Sequence, residues 1–297
     1  MQNAEVFKDK VVLDIGCGTG VLSIFTAKAG AKHVYGIEFA EIAEYTKLVV
    51  KENNLEDKIT IIKSKVEEAE LPVPQVDIII SEWMGYFLFF ESMLDSVLFA
   101  RDKWLKKDGY LLPDKAMMYI AAFEDSKKRK EKIDFWDNIC DVKMSCFKPT
   151  ALSSPLIEQL PEEKVISSSC KICEIDLYTM KVEDVDVASK YQLTFTRDDK
   201  FGGIVAWFNV EFSRLPNKSI LSTSPFSGVT HWRQTIFFTK DEIPVKKDQT
   251  VSGSFCFRKS QFNFRFIDVK ILFKLEREGK LEEWYQLYKV DPCFTKI

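Results

Sequence analysis

The sequence is poor in the residues that mark disordered, fibrous and nucleic-acid-binding chains. It has only 12 glycines and 10 prolines in 297 residues, which excludes the disordered and collagen-like classes. Positive charge is not in excess, because 42 basic residues face 45 acidic ones and the net charge is −3. We therefore expect no direct nucleic-acid binding, whereas a basic protein partner is easily accommodated.

The chain also lacks a long apolar run and an even set of cysteines. Its most apolar stretch, at 83–90, is short and flanked by Glu82 and Glu91, whereas a spanning helix needs about 20 apolar residues. Seven cysteines without disulfide-like spacing, and no signal-peptide pattern at 1–10, indicate reduced thiols in an intracellular protein. We expect no contact with a membrane.

Apolar residues make up 46% of the chain, enough for a sizeable core. Up to Pro113, short β-branched runs alternate with helical patterns, which predicts a doubly wound, Rossmann-like sheet over residues 1–113. The predicted strands lie at 11–15, 33–37, 59–62 and 76–80, and the predicted helices at 21–29, 42–52 and 92–105.

After Pro113 the pattern changes to alternation of apolar and mostly polar residues. This period is typical of half-buried antiparallel strands and predicts a β-barrel or sandwich. The segments that carry it are 191–195, 208–212, 262–266 and 269–273. An insertion at 127–140 places Ile133, Trp136 and Cys140 at helical spacing, which predicts a protruding helix with an apolar stripe to bury.

A glycine-rich turn follows the first predicted strand, with Asp14 before Gly16 and Gly18 and with Glu38 ending the second strand. Such glycines let a ligand approach the backbone, and an acid about 20 residues on can accept both ribose hydroxyls. A dinucleotide fingerprint would have Gly or Ala in place of Val21, and Asp14 would repel a pyrophosphate but pair with an ammonium. The pattern favours S-adenosylmethionine over NAD, with a ligand-free tight turn as the third alternative.

The fourth predicted strand ends at Glu82, and Glu91 follows after an aromatic loop that contains Tyr86. Two facing carboxylates repel each other and raise one pKa. A guanidinium relieves that repulsion because it is planar, permanently charged and able to donate to both. The alternative is that both are solvated loop acids, although unpaired carboxylates would be costly in a loop this apolar.

Three further sites carry weaker signals. Val66 and Glu67 follow the third strand, where a carboxylate could accept from an adenine amine, although loop glutamates are more often solvated. His231 could position a carboxylate or relay a proton, although an isolated histidine is more often structural. Cys170 and Cys173 lack the further ligands that zinc requires, so we expect no metal site.

The segments VVLDIGCGTG, YGIE, SKVEE, SEWMGYFLFFESML and THW occur in this order. In order and spacing they resemble the protein arginine N-methyltransferases, particularly the type I enzymes that form asymmetric dimethylarginine. The resemblance covers nearly the whole chain. It implies S-adenosyl-L-methionine as cofactor, a β-barrel substrate domain at 114–297, and a helical dimerisation arm at about 124–146 that packs on the nucleotide half of a second copy in a homodimer.

The resemblance also implies a role for each matching residue. The methionine portion of the cofactor would be held by the glycine turn, the ribose by the acid after the second strand, and the guanidinium by the glutamate pair. The residues are Asp14, Gly16 and Gly18 for methionine, Glu38 for ribose, Lys65, Val66 and Glu67 for adenine, Met93 for the methyl path, Glu82, Glu91 and His231 for catalysis, and Tyr86 and Trp232 for the substrate pocket.

Two departures from the family pattern stand out. Phe90 replaces a usual tyrosine, and Gly16 comes so early that we expect the family's preceding helices, which close over the cofactor, to be missing. The implied partners are arginine- and glycine-rich proteins, RNA-binding proteins and histone tails, in the cytoplasm and nucleus. The alternatives are a non-catalytic arginine-binding scaffold in this truncated form and a small-molecule methyltransferase, which would not need so large a β half.

Overall fold

The first half of the chain forms a five-stranded parallel sheet in the computed structural model, which describes residues 2–291. The strand order is β3-β2-β1-β4-β5, so the predicted Rossmann-like architecture is confirmed. The strands are β1 Val11–Ile15, β2 His33–Glu38, β3 Ile59–Lys63, β4 Val76–Ile80 and β5 Leu105–Leu112, and the helices are α1 Ala4–Phe7, α2 Val21–Lys28, α3 Ile42–Glu52 and α4 Leu94–Trp104.

The strand order reverses between β1 and β4, which are hydrogen-bonded neighbours with Asp14 opposite Ile80. Their carboxyl ends therefore meet at one edge of the sheet, which is where open α/β folds bind ligands. The loop after β1 carries the glycine turn and the loop after β4 carries both glutamates, so the topology places these two segments side by side.

The second half is antiparallel, as predicted. One sheet has the order β7-β12-β10-β6-β8 with β11 paired to β10, and the other has the order β15-β14-β13-β9. The strands are β6 Lys115–Phe123, β7 Leu156–Glu158, β8 Cys170–Asp176, β9 Val187–Thr194, β10 Asp199–Phe212, β11 Ser219–Ser222, β12 Gln234–Val245, β13 Thr250–Lys259, β14 Ile267–Arg277 and β15 Lys280–Val290.

The two antiparallel sheets face each other across a core rich in phenylalanine. Phe201 of one sheet packs edge-on against Phe273 of the other, with ring centroids 5.9 Å apart. At one side the Tyr288 hydroxyl of β15 donates to the Phe238 carbonyl of β12 at 2.9 Å. These contacts close the β half around an apolar interior.

The predicted strand at 262–266 is wrong, because this segment is the loop between β13 and β14. The loop closes on itself, since Ser260 N donates to the Phe266 carbonyl at 2.8 Å and Phe266 N donates to the Asn263 carbonyl at 2.9 Å. Phe262 and Phe264 are 92% and 70% exposed. Their alternation with polar residues resembles a strand, but no neighbouring strand pairs with them within residues 2–291.

The predicted helix at 127–140 is wrong in its length. Helix α5 spans only Ser126–Lys132, and a 3₁₀ turn follows at Asp134–Asp137. The chain then enters the left-handed region at Cys140 and Asp141, with φ of 49° and 66°, which an α-helix does not tolerate. A second short helix, α6, follows at Lys148–Ser153.

The apolar side chains of this insertion pack partly on one another. Ile133 is buried in the β half, and the Trp136 ring lies 4.7 Å from Phe135 and 4.9 Å from Phe147. Phe135 and Phe147 remain 39% and 47% exposed. Elsewhere, no helix within residues 2–291 is long and apolar enough to cross a bilayer.

Candidate active site

The glycine turn connects β1 to α2 through a backbone that favours glycine. Gly16, Gly18 and Gly20 have φ of 66°, 51° and 80°, values that side chains with a Cβ rarely adopt. A Cβ on Gly16 would lie 2.4 Å from Met93 Cε. The absence of a side chain at Gly16 therefore lets Met93 approach the turn.

Asp14 lies at the end of β1 and is only 1% exposed. The Ser23 hydroxyl donates to its Oδ2 at 2.6 Å, while its Oδ1 is buried without a partner among the described residues. Burial raises the pKa of Asp14 to about 6, against the opposing effect of the Ser23 hydrogen bond. An ammonium group beside Oδ1 would satisfy this oxygen and stabilise the ionised carboxylate.

Glu38, at the end of β2, is held by two backbone donors. Gly18 N donates to its Oε2 at 3.0 Å and Ala40 N donates to its Oε1 at 2.8 Å. A carboxylate offers about four acceptor positions, so each oxygen can still accept a hydroxyl. The side chain is thus fixed next to the glycine turn with acceptor capacity left over for a ribose.

The 3₁₀ turn Val66–Glu68 follows β3 at the same edge of the sheet. Val66 is buried, and Glu67 accepts a hydrogen bond from the Ser96 hydroxyl at 2.6 Å. Lys65 pairs with Glu68 at 2.9 Å and lies 5.6 Å from the centre of the exposed Phe39 ring. Ser23, Ser96 and Phe39 are neighbours of the site that sequence patterns did not single out.

The glutamate loop, residues 82–93, winds tightly between β4 and α4. Gly85 N donates to the Leu88 carbonyl and Phe90 N donates to the Tyr86 carbonyl, both at 2.9 Å. A Cβ on Gly85 would lie 1.7 Å from the Phe90 carbonyl oxygen, so no other residue fits there. Phe87, Leu88 and Glu91 all have positive φ, at 50°, 61° and 55°.

Side chains from the β half hold the glutamate loop. Phe87 lies against Phe237, Phe255 and Phe257, with ring centroids 5.5, 6.1 and 5.4 Å away. The indole N–H of Trp232 donates to the Met84 carbonyl at 3.0 Å. Apolar packing and a buried hydrogen bond therefore fix the glutamate loop against the β half.

Glu82 lines a cavity of about 770 Å³ together with Ser81, Met84, Trp232 and apolar residues of α2, β10 and β11. Within residues 2–291 its carboxylate has no hydrogen bond or ion pair, and partial burial raises its pKa to about 7. A cation beside this carboxylate would favour its charged form.

Glu91 faces a different neighbour. Its Oε1 lies 3.6 Å from Arg265 Nη2, and its backbone N–H donates to the Arg265 carbonyl at 3.0 Å. Glu91 does not line the cavity that Glu82 enters. The structure thus places both glutamates on one loop without turning the two carboxylates into one cavity. Tyr86, between them in sequence, is 39% exposed.

His231 and Trp232 adjoin the start of β12. The Trp232 side chain is buried against the cavity, and the exposed His231 ring lies 3.8 Å from the Trp232 ring, centre to centre. In the described part of the chain His231 makes no hydrogen bond to either glutamate. The structure therefore places His231 beside the cavity wall, next to the residue that anchors Met84.

No group of three or more His, Cys, Asp or Glu within residues 2–291 has the arrangement of a metal site. Cys170 and Cys173 both lie in β8 as free thiols. The spacing of these cysteines reflects their positions along one strand.

Comparisons with known proteins match this chain to methyltransferases. A family model described as the arginine methyltransferase oligomerization subdomain matches residues 114–280, and a model for ribosomal protein L11 methyltransferase (PrmA) matches residues 2–104. Protein arginine N-methyltransferase 1 of Chlamydomonas reinhardtii is 48% identical over 98% of this chain and 84% of that protein. The protein of the same name from Schizosaccharomyces pombe is 46% identical over 91% of this chain and 80% of that protein.

Solved structures agree with the sequence relatives. A chain of the Trypanosoma brucei PRMT1 enzyme-prozyme heterotetrameric complex with AdoHcy matches with a TM-score of 0.94 at 35% identity, over 98% of this chain and 92% of that one. Protein arginine methyltransferase 10 of Arabidopsis thaliana, in an open conformation, matches with a TM-score of 0.88 at 28% identity over the same shares. The chain belongs to the protein arginine N-methyltransferase family.

Proposed function

We propose that this chain is a type I protein arginine N-methyltransferase, which uses S-adenosyl-L-methionine to form mono- and asymmetric dimethylarginine on proteins. The observation that carries this proposal is the pair of unsatisfied carboxylates at neighbouring strand ends. Asp14 Oδ1 is buried without a partner after β1, and Glu82 lines a cavity without a partner after β4. The buried Asp14 carboxylate calls for a cation such as an ammonium. The Glu82 carboxylate is accessible to solvent and free to accept a guanidinium.

The residues around the glycine turn fit S-adenosylmethionine. Asp14 would bind the amino group, Gly16 and Gly18 would let the methionine portion lie along the backbone, and Glu38 would accept the ribose hydroxyls. Lys65, Val66 and Glu67 would surround the adenine, and Met93 would line the path of the methyl group. When bound, the cofactor supplies an electrophilic methyl group on a sulfonium sulfur.

The chain's own contribution to the reaction is alignment and charge. For both glutamates to hold the guanidinium, the Glu91 carboxylate would turn from Arg265 toward Glu82. Glu82 and Glu91 would then concentrate electron density on the attacking nitrogen, and such positioning contributes up to about 7–11 kcal/mol. The same carboxylates stabilise the positive charge of the methylated product. Because a guanidinium has a pKa above about 12, no base removes its proton beforehand, and the proton leaves late through Glu91 or His231. Tyr86 and Trp232 complete the substrate pocket.

The domain division that supports this function places cofactor binding in residues 1–113 and substrate binding in residues 114–297. The insertion at about 124–146 would be a dimerisation arm, because it keeps Phe135 exposed (39%). On α2 and α3, Phe25, Tyr45 and Leu48 are 58%, 65% and 57% exposed, and we propose that they form the surface on which the arm packs. We infer a homodimer in which each arm covers these helices of its partner, and a monomeric mass at micromolar concentration would contradict it.

The proposed substrates are arginine- and glycine-rich segments of RNA-binding proteins and histone tails. The supporting observation is charge, because a chain with a net charge of −3 attracts basic segments. With such substrates, we propose that the protein acts in the cytoplasm and nucleus.

Mass spectrometry of an arginine-glycine repeat peptide incubated with the protein and S-adenosylmethionine tests the activity. We expect mass gains of one and two methylene units, because each methyl group replaces a hydrogen, and fragmentation that places both methyl groups on one terminal nitrogen. A peptide with lysine at every arginine position is the control and should gain no mass. Arginine-specific binding without any mass gain would instead support the scaffold alternative, and gains on the lysine peptide would contradict arginine specificity.

A further inference from the structure

The loop between β13 and β14, residues 260–266, packs against the glutamate loop. Glu91 N donates to the Arg265 carbonyl at 3.0 Å, and the Phe90 ring stacks on the Phe266 ring with centroids 6.0 Å apart. Just before this loop, Lys259 Nζ donates to both Asp95 carboxylate oxygens, at 2.7 and 2.6 Å. Backbone and ring contacts therefore hold the two loops together, and an ion pair joins the adjoining β13 and α4.

The backbone of Arg265 is fixed from within its own loop. Arg265 N donates to the Asn263 side-chain oxygen at 3.0 Å, and Phe266 N donates to the Asn263 carbonyl at 2.9 Å. Two separate connections then link Arg265 to Glu91, one through the Arg265 carbonyl and one through its guanidinium. A substitution of the side chain removes the second connection and leaves the first.

The guanidinium of Arg265 makes a weak pair with Glu91. The approach is a single one, of 3.6 Å between Nη2 and Oε1, and the two side chains are 56% and 44% exposed. That distance is longer than a hydrogen bond, and exposed single-contact pairs of this kind contribute little free energy. A guanidinium that approached the Glu91 carboxylate in bidentate geometry would bind it more tightly.

We propose that Arg265 is a built-in stand-in for the substrate guanidinium, which neutralises Glu91 until an arginine substrate displaces it. The inference rests on the proposed function, because it takes Glu91 as a substrate-binding carboxylate. Arg265 competes with substrate for Glu91 and so lowers substrate affinity. Its carbonyl, by contrast, keeps Glu91 in its left-handed conformation during turnover.

Steady-state kinetics with an arginine-glycine peptide at saturating S-adenosylmethionine test the inference on Arg265→Gln, Arg265→Lys and the matched control Arg277→Gln. Arg277 pairs with Glu282 at 3.1 Å with similar exposure, 40% and 47%, between β14 and β15. We expect Arg265→Gln to lower KM about two- to fivefold, the effect of removing one exposed ion pair, with kcat unchanged. Arg265→Lys keeps the charge and should stay near the wild-type KM, as should Arg277→Gln.

An unchanged or raised KM in Arg265→Gln overturns the inference, and so does a fall in kcat with KM constant, which would make Arg265 a positioning residue. Direct peptide binding, followed by fluorescence anisotropy, needs no turnover and separates the two proposals. Wild-type protein that methylates arginine while Arg265→Gln binds no more tightly refutes only the role of Arg265. Wild-type protein that neither methylates nor prefers arginine to lysine refutes the proposed function and this inference with it. Arg265→Met, with a side chain of similar length, replaces Arg265→Gln if that variant does not fold.

Discussion

The glycine turn and the glutamate loop reach left-handed backbone conformations by different routes. In the turn after β1 the residues with positive φ are Gly16, Gly18 and Gly20, whereas in the loop after β4 they include Phe87, Leu88 and Glu91. Glycine adopts this region freely, while a residue with a Cβ is destabilised there by about 1–2 kcal/mol. The first segment is therefore relaxed by its composition, and the second needs outside support.

The support for the glutamate loop comes from the β half. Phe87 packs against three phenylalanines of that half, and the Arg265 carbonyl accepts from Glu91 N. Strained backbone held by its surroundings is common at functional sites. The difference teaches that the proposed cofactor site depends mainly on one half of the chain, whereas the proposed guanidinium site depends on both.

Glu91→Gln should give the largest difference between the glutamate loop and the glycine turn, because it affects turnover and not cofactor binding. The loss of one carboxylate removes charge that stabilises the transition state, so we expect kcat to fall by about 100-fold or more. Cofactor affinity, measured by isothermal titration calorimetry, should not change because the glycine turn is untouched. Glu283→Gln is the control, since Glu283 is a half-exposed partner of Lys274 on the β half. Unchanged turnover in Glu91→Gln would contradict the proposal that Glu82 and Glu91 together hold the guanidinium.

The pH dependence of kcat/KM should report the environment of Glu82. Burial raises the pKa of this carboxyl to about 7, so the ionised fraction falls as the pH drops through 7. Only the ionised form attracts a guanidinium, and we expect kcat/KM to fall about tenfold per pH unit below that point. Saturating cofactor should keep Asp14 ionised throughout the titration. A flat profile between pH 8 and pH 5 would contradict a Glu82 that binds substrate as a carboxylate with a raised pKa.

Gly16→Ala should affect cofactor binding and leave the glutamate loop intact. Its φ of 66° disfavours a Cβ, and the added atom would lie 2.4 Å from Met93 Cε, so the Met93 side chain must shift. We expect cofactor affinity to weaken about tenfold, the equivalent of about 1.4 kcal/mol. Gly279→Ala has a similar φ of 74° with nothing within 4 Å; it should lose stability but no affinity. Equal affinity in both variants would contradict the role of Gly16.

The smallest expected effect concerns backbone strain in the glutamate loop. At Phe87 a glycine substitution should be more stable than an alanine substitution, the reverse of the usual order. Both Phe87→Ala and Phe87→Gly lose the ring, but at a φ of 50° the glycine variant should be the more stable by about 1 kcal/mol. Urea unfolding measures the difference. At Phe89, which lies outside the left-handed region, alanine should be the more stable instead. The same order at both positions would show that Phe87 carries no strain.

The parallel sheet was predictable because its signals are local. Runs of β-branched residues at 11–15 and 76–80 coincide with β1 and β4, since strands buried on both faces are apolar throughout. The loop at 262–266 was not predictable from alternation alone. Whether Phe262 pairs with a neighbour depends on hydrogen bonds between distant segments, and here the loop instead closes through Asn263.

Part of the proposed site was predictable because its signals are also local in the sequence. The glycines of the turn and the acid Glu38 follow from the backbone that a bound nucleotide requires. Arg265 has no such signal, because its contact with Glu91 joins segments from opposite halves of the chain. The end of α5 could not be predicted from the sequence either, because the helical spacing of apolar residues continues past it to Cys140, where Cys140 and Asp141 adopt left-handed conformations.

The pairing of β1 with β4 fixes the distance between the strand ends that carry Asp14 and Glu82. Adjacent strands lie about 4.8 Å apart, and in this register Asp14 faces Ile80, two residues before Glu82. Main-chain hydrogen bonds set that spacing, so exchanging a side chain in either loop leaves it unaltered. Under the proposed function, changes of residue in the two loops would alter how tightly each reactant is held, whereas the separation of the strand ends that carry Asp14 and Glu82 is set by the sheet.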